Sequence, residues 1–241
     1  MTLHDLDPDL RWLFHPTHPD DELAFAAWAR RLARNGNEVW MAWTHRTDVR
    51  EREARNAAAA IGIPSARLRF HDGTDGDVCD EIPRLRESFA RLVDEVRPDR
   101  VVCGAFEQGH LDHDATAFLL RHAYDGPILE APFYHTYVRP RWQTINRFSD
   151  PSREEVRTLD EEERRFKIRL SLGYPSQRIG RVVRAYEIGN RAVGRRPELY
   201  ATERLRLMEV ADWRRPAHPA PLAARVVRSA RWRRWLRAMD G

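Results

Sequence analysis

The chain reads as an α/β protein, a Rossmann-like and mostly parallel sheet with helices on both faces and extra strands and helices in its C-terminal half. Three observations predict it. Short apolar runs alternate with amphipathic helical segments four times before residue 105. The fourth run, Arg100-Val101-Val102-Cys103-Gly104, is the unbroken β-branched kind found where a strand is covered on both faces. Clusters of His and Asp follow the first and fourth runs directly, on the edge where such sheets bind ligands.

Taken in order, Arg11-Trp12-Leu13-Phe14 is the first strand. Residues 21–35 set Leu23, Ala26, Ala27, Arg30, Leu32 and Ala33 at near-helical spacing and stop at Asn35-Gly36. Residues 38–44 form the second strand, and 48–61 an Ala-rich helix ending at Gly62. Residues 66–70 are the third strand, closed by the turn-rich stretch 71–76. A helix over 80–96 is stopped by Arg97-Pro98-Asp99 ahead of the fourth strand. Beyond it, 127–130, 133–138 and 142–148 read as strands, 154–172 as a charged helix carrying Lys167, and 178–190 as another helix after the turn 173–177. Pro197-Glu198-Leu199-Tyr200 opens a segment that ends near Trp213. A Pro- and Ala-rich linker, residues 216–221, then sets off a basic tail, so the expected division is a domain over 1–213 and a linker with an amphipathic helix over 214–241.

The apolar fraction of 42% supports a sizeable core in 241 residues, and no apolar run approaches the length of a spanning helix. The N-terminus is acidic and has no apolar segment of the kind a secretory signal needs. Cys79 and Cys103 lie in different elements and read as reduced thiols, so the expected location is cytoplasmic. The charge is uneven: residues 213–241 hold eight arginines against Asp240, which leaves the remaining 212 residues at −3 within a net charge of +4. The body is therefore not a basic, nucleic-acid-binding surface. In the tail, Leu222, Val226, Trp232, Trp235, Leu236 and Met239 fall near one side of a helix with arginines on the other. The tail fits an anionic membrane surface, or docking on the body or on a second subunit, with nucleic-acid binding by its Arg and Trp third in order. Neither Gly-x-Gly-x-x-Gly nor Gly-x-Ser-x-Gly occurs, which removes dinucleotide-binding and serine-hydrolase readings.

His18-Pro19-Asp20-Asp21-Glu22 follows the first strand, and one imidazole with two adjacent carboxylates on so tight a turn can begin a metal site. The same residues suit a charged helix start, since Asp is a good N-cap and acids are favoured in the first turn. Doubly wound sheets bring strands one and four together. That sets His110-Leu111-Asp112-His113-Asp114, which follows the fourth strand, beside the first cluster. Asp112 or Asp114 as a helix cap and His110 as a turn histidine is the structural alternative. Two such clusters on adjoining strands favour a mononuclear metal site, with zinc preferred for a His and carboxylate ligand set.

At these two motifs the chain resembles the PIG-L/LmbE-like family of zinc-dependent N-acetyl-sugar deacetylases, and the resemblance spans roughly residues 11–180. Arg50-Glu51-Arg52-Glu53-Ala54 and the segment from Lys167 to Tyr174-Pro175-Ser176-Gln177 are similar to further blocks of the family. Thr17 and Leu111 depart from its usual residues, without removing a chemical group. The resemblance implies hydrolysis of the N-acetyl group of an amino sugar or its conjugate, with zinc, or another divalent metal such as Fe2+, held by His18, Asp21 and His113. It further implies Asp20 as general base, His110 as stabiliser of the oxyanion or donor to the leaving amine, and Asp112 as the group orienting an imidazole. Arg50, Asp72, Lys167 and Gln177 are the expected substrate contacts. An amidase acting on another amide such as a thiol conjugate, or a non-catalytic metal-binding module, are the competing readings. Asp20 and His110, not needed merely to hold a metal, weigh against the last.

Overall fold

The computed structural model describes residues 3–139, 142–194, 199–210 and 212–240, with the backbone alone over 134–139 and 142–144. Its first strand, β1 (Arg11–His15), is buried from Trp12 onward. The helix expected over 21–35 forms in two pieces, a 3-10 turn at Asp21–Ala24 and then α1 (Ala26–Asn35). The break arises because the first amides of α1, on Ala27 and Trp28, are capped by the distant Glu203 carboxylate at 2.8 Å each. The acidic turn before α1 is thereby left to adopt its own geometry.

β2 (Glu38–His45) and α2 (Asp48–Ile61) follow, the latter capped by the Thr47 hydroxyl, which accepts from the Arg50 amide. β3 (Leu68–Gly73) starts later and runs further than the sequence suggests. Next come α3 (Ile82–Val96), β4 (Arg100–Gly104) and α4 (Leu111–Ala123). α4 takes in Leu111, Asp112 and His113 because His110 is its N-cap, with Nδ1 accepting the Asp112 amide at 3.3 Å. β5 (Ile128–Ala131) completes the parallel strands. β6 (Tyr134–Arg139) and β7 (Trp142–Ile145) pair as a separate antiparallel ribbon.

The charged helix expected over 154–172 divides. Its first residues form β8 (Glu155–Thr158), and α5 (Glu161–Ser171) begins only after a capping box between Asp160 and Glu163. α6 (Ile179–Ala192) and β9 (Thr202–Leu207) follow; of the segment opening at Pro197, Pro197 and Glu198 lie outside the described residues. The tail forms two helices, α7 (Ala220–Val227) and α8 (Ala230–Asp240).

The main sheet runs β3-β2-β1-β4-β5-β9-β8, parallel from β3 to β5 and antiparallel at β9 and β8. Strand order reverses between β1 and β4, whose register pairs His15 with Cys103. The turns after these two strands are therefore neighbours. One core, with Trp12, Phe14, Phe25 and Trp28, lies under α1, α2 and α5; the other, with Phe89, Phe106 and Phe118, lies under α3 and α4. The second core also holds Val226, Trp232 and Trp235, all buried, so the tail is docked on the body. The apolar side that could have faced a membrane is largely spent there, and among the described residues no helix is long and apolar enough to cross one.

His15 is fully buried in a stack with His71 and Phe89, at ring-centroid distances of 5.3 and 4.9 Å. Burial holds the His71 imidazole down to about 4 and pushes His15 well below its ordinary value. Because the unfolded chain takes up these protons first, the stability contributed by neutral burial is complete above about pH 6.5 and lost as pH falls toward 4. Urea unfolding should show on the order of 3 kcal/mol lost from His71 alone between about pH 7 and about pH 4. His71→Phe keeps the ring stack and should flatten that slope; an unchanged slope in the variant contradicts the assignment.

Candidate active site

The cluster is assembled by two turns at the C-terminal edge of β1 and β4. Asp21 stands at its centre. Its Oδ2 accepts the His18 amide at 2.8 Å and lies 3.4 Å from His18 Nδ1 and 3.2 Å from His113 Nε2. Ligand atoms bound to one tetrahedral zinc at about 2.0–2.1 Å are separated by about 3.3–3.4 Å, so these spacings are those of a metal-ligand edge. His18, Asp21 and His113 offer donor atoms within 4.8 Å of one another, as do His18, His110 and Asp112. The first set has the better supporting shell, because the other nitrogen of His18, Nε2, faces Asp112 Oδ2 at 3.2 Å and Asp75 Oδ1 at 3.3 Å. A carboxylate behind a ligating imidazole fixes its ring and tautomer. The donor set fits a divalent metal ion.

Asp20 stands beside this set and lines the same cleft as His18 and Asp21. Its backbone lies in the left-handed region at φ 117, costly for a residue with a Cβ. Glu22 maintains it: fully buried, it accepts the Asp20 amide at 2.8 Å and the Tyr174 hydroxyl on its other oxygen.

The electrostatics follow from burial and crowding of charge. Burial works to lower His18, but hydrogen bonds to Asp112, Asp21 and Asp75 outweigh it and hold the imidazole well above its usual value. Burial would raise Asp21, yet His113 and His18 keep its carboxyl far below the usual range. Burial, then the charges of Asp21 and Glu22, push Asp20 well up. His110 is lowered to about 4 by burial and by His113, so near neutrality it is an uncharged ring. With Nδ1 accepting the Asp112 amide, its proton sits on Nε2.

A cleft of about 330 Å³ opens on the cluster. Its polar lining includes Arg50, Asp75 and Gln177, and its apolar lining Leu23, Phe133, Ile145 and Val182. Arg50 pairs with Asp75 at 3.2 Å instead of with Glu53, which holds the Ser176 amide at 2.9 Å and its hydroxyl at 2.6 Å.

Two expected substrate contacts lie elsewhere. Asp72 is still on β3, where the alternation of the strand turns it out to solvent against Arg84 at 2.8 Å. Lys167 is fully buried on α5, 3.2 Å from Glu203, as counter-charge to the carboxylate that caps α1. Asp75, Glu22, Tyr174 and Asp114 were missed as contributors. Asp75 had a usable signal, since it stands after β3 on the same sheet edge. Asp114 had none: it is buried and accepts the amides of Glu107 and Gln108 at 3.2 and 3.0 Å, shaping the loop before His110. Because Lys167 serves the interior, Lys167→Met should cost about 3 kcal/mol in chemical unfolding by removing one of the two buried cations that face Glu203, the other being Arg157. At a temperature where the variant remains folded, its KM should stay within twofold of wild type; a large rise in KM with unchanged stability would return Lys167 to the substrate site.

The family profile of the GlcNAc-PI de-N-acetylases, PIG-L, matches residues 13–124. No match is found among curated protein sequences. Among solved structures, the zinc-inhibited form of teicoplanin deacetylase Orf2 is similar at 14% identity and TM-score 0.60, over 84% of this chain and 99% of that one. A conserved protein of Thermus thermophilus is similar at 21% identity and TM-score 0.59, over 88% of this chain and 98% of that one. The N,N'-diacetylchitobiose deacetylase of Pyrococcus horikoshii is similar at 16% identity and TM-score 0.55, over 85% and 87%. These likenesses bear on the fold, while the matched segment contains both metal-site turns and every strand from β1 to β4 in all but its first two residues. Over that segment, a little under half of the chain, the protein is similar to the PIG-L family.

Proposed function

We propose that the protein is a metal-dependent hydrolase, with zinc the preferred ion, that removes the N-acetyl group of an amino sugar or its conjugate to release acetate and a free amine. The observation that carries this reading is Asp20: a carboxylate that lines the same cleft as His18 and Asp21, on backbone at a strained φ of 117 secured by the buried Glu22. Structural metal sites close their coordination with ligands and need no such neighbour. Bound by His18, Asp21 and His113, the ion would polarise the amide carbonyl and lower the pKa of water at its open position.

The chain's own groups supply the rest. Asp20, whose proton affinity is raised by burial and by Asp21 and Glu22, takes the proton from the attacking water. His110 donates from Nε2 toward the developing oxyanion, for which a neutral N–H suffices. The proton on Asp20 then passes to the leaving nitrogen as the C–N bond breaks. Asp112 keeps His18 oriented throughout. Arg50 and Gln177 suit sugar hydroxyls, and the apolar side of the cleft suits an apolar aglycone.

Full-length protein loaded with zinc should release acetate from a panel of N-acetylglucosamine glycosides, lose activity to a chelator and regain it with added metal. Asp20→Asn should retain its metal and lose on the order of a hundredfold or more in kcat. Absence of acetate release from every member of a broad amide panel, or an Asp20→Asn variant as active as wild type, sinks the reading. Within the panel, an octyl glycoside should exceed the methyl glycoside by roughly tenfold in kcat/KM, the gain from burying about two methylenes, and Val182→Asp should erase most of that advantage. Equal kcat/KM for the two glycosides contradicts the apolar subsite.

A further inference from the structure

We propose that the C-terminal helices α7 and α8, which lie outside the segment matched by the family, are a positioning element for the metal site, and that Arg234 exerts this through Gly76 on Asp112. The proposal rests on the metal-site reading above but not on the identity of the substrate.

The loop between β3 and α3 is gripped from two sides. On the inner side, the Gly76 amide donates to Asp112 Oδ2 at 2.6 Å, and Asp75 Oδ1 lies 3.3 Å from His18 Nε2. On the outer side, the Arg234 guanidinium donates from Nη1 to the Gly76 carbonyl at 2.9 Å. Its Nη2 reaches Asp77 Oδ1 and Asp80 Oδ2 at 2.6 Å each, and its Nε reaches Asp80 Oδ2 at 2.9 Å. One planar fork therefore holds three residues of the loop, which a lysine ammonium cannot do with comparable geometry. Gly76 itself lies at φ 86, a conformation that suits glycine and allows its N–H and C=O to serve the two sides.

The tail also holds the other loop of the site. Arg231 Nη1 donates to the Gly109 carbonyl at 2.9 Å, and the Ala217 amide donates to Gln108 Oε1 at 3.1 Å. His218 Nε2 meets the Glu107 carbonyl. These residues lead directly into His110. The grip is anchored by burial: Trp232 and Trp235 are inside the core with Phe106 and Phe118, and the Trp235 indole donates to the Trp213 carbonyl at 2.7 Å.

The consequence follows from Asp112. Its Oδ2 receives the Gly76 amide and faces His18 Nε2, so release of the loop loosens the carboxylate that orients a metal ligand. Changes to such outer partners typically cost 10- to 100-fold in metal affinity or activity. An exposed ion pair valued for its charge alone would have little effect.

Full-length wild type, Arg234→Met, Arg234→Lys, Asp112→Asn and the Arg234→Met/Asp112→Asn double variant are compared for zinc affinity by chelator competition, and for kcat and KM on whichever N-acetyl substrate proves active. Arg233→Met, on the same helix but without contact to the loop, is the control. The expected result is a loss of at least tenfold in zinc affinity for Arg234→Met, with little rescue by Lys, a fall in kcat rather than a rise in KM, and no effect at Arg233. The double variant should be no worse than Asp112→Asn alone, because both changes act on one carboxylate. If Arg234→Met does not fold, Asp77→Asn with Asp80→Asn loosens the same grip from the loop side and should give the same loss. Wild-type zinc affinity in a folded variant, or losses that add in the double variant, overturn the proposal. Failure of every substrate leaves the zinc measurements to decide it, and would count against the proposed reaction instead.

Discussion

The parallel pairing of β1 with β4 is the constraint on which the rest of the structure depends. Each strand alone ends in a short polar turn that could have been a helix cap. Paired in the register that sets His15 against Cys103, the two turns meet at the point where strand order reverses, and Asp21 comes to lie between His18 and His113. Bringing Asp21 and His113 together is a consequence of sheet topology, with 91 residues of intervening chain folded through three crossovers. Such a site is held in place because its candidate ligands stand in the short turn after β1, at the start of the 3-10 turn and in the first turn of α4.

Buried charge is the second theme. Glu22, Asp114, Glu203 and Lys167 are all nearly or fully inaccessible, and each would be costly alone. Each instead meets amides or an opposite charge: Glu22 the Asp20 amide and Tyr174, Asp114 the amides of Glu107 and Gln108, Glu203 the start of α1 together with Lys167 and Arg157. Most of these contacts shape backbone close to the cluster. The clearest backbone strain at the site, the positive φ of Asp20, lies directly beside Asp21 of the cluster.

Much of this was legible in the sequence. The alternation of apolar runs and amphipathic segments revealed the parallel half of the sheet, and spacing located the two clusters, because period and turn chemistry are local properties. What failed was decided by distant partners. α1 starts late because Glu203, almost 180 residues away, supplies its cap. Residues 155–158 form a strand because β9 is there to pair with them, against a composition that suggests helix. Lys167 looked chemically special as the one lysine among forty arginines. It is special, but as a buried counter-ion on α5 whose partner, Glu203, lies on the distant strand β9. Asp72 and Asp75 are three residues apart in one turn-rich stretch, and only the end point of β3 decides which of them faces the cleft.

The central claim is that one divalent ion is held by His18, Asp21 and His113, with His110 and Asp112 outside its coordination. Anomalous diffraction at the zinc edge from metal-loaded crystals tests it most directly. The account predicts a single peak about 2.0–2.2 Å from His18 Nδ1, an Asp21 oxygen and His113 Nε2, with His18 Nε2 still facing Asp112. A peak bound instead by His18 Nε2, His110 and Asp112 would contradict it, since that arrangement uses the orienting carboxylate as a ligand and leaves Asp21 and His113 without a metal to hold.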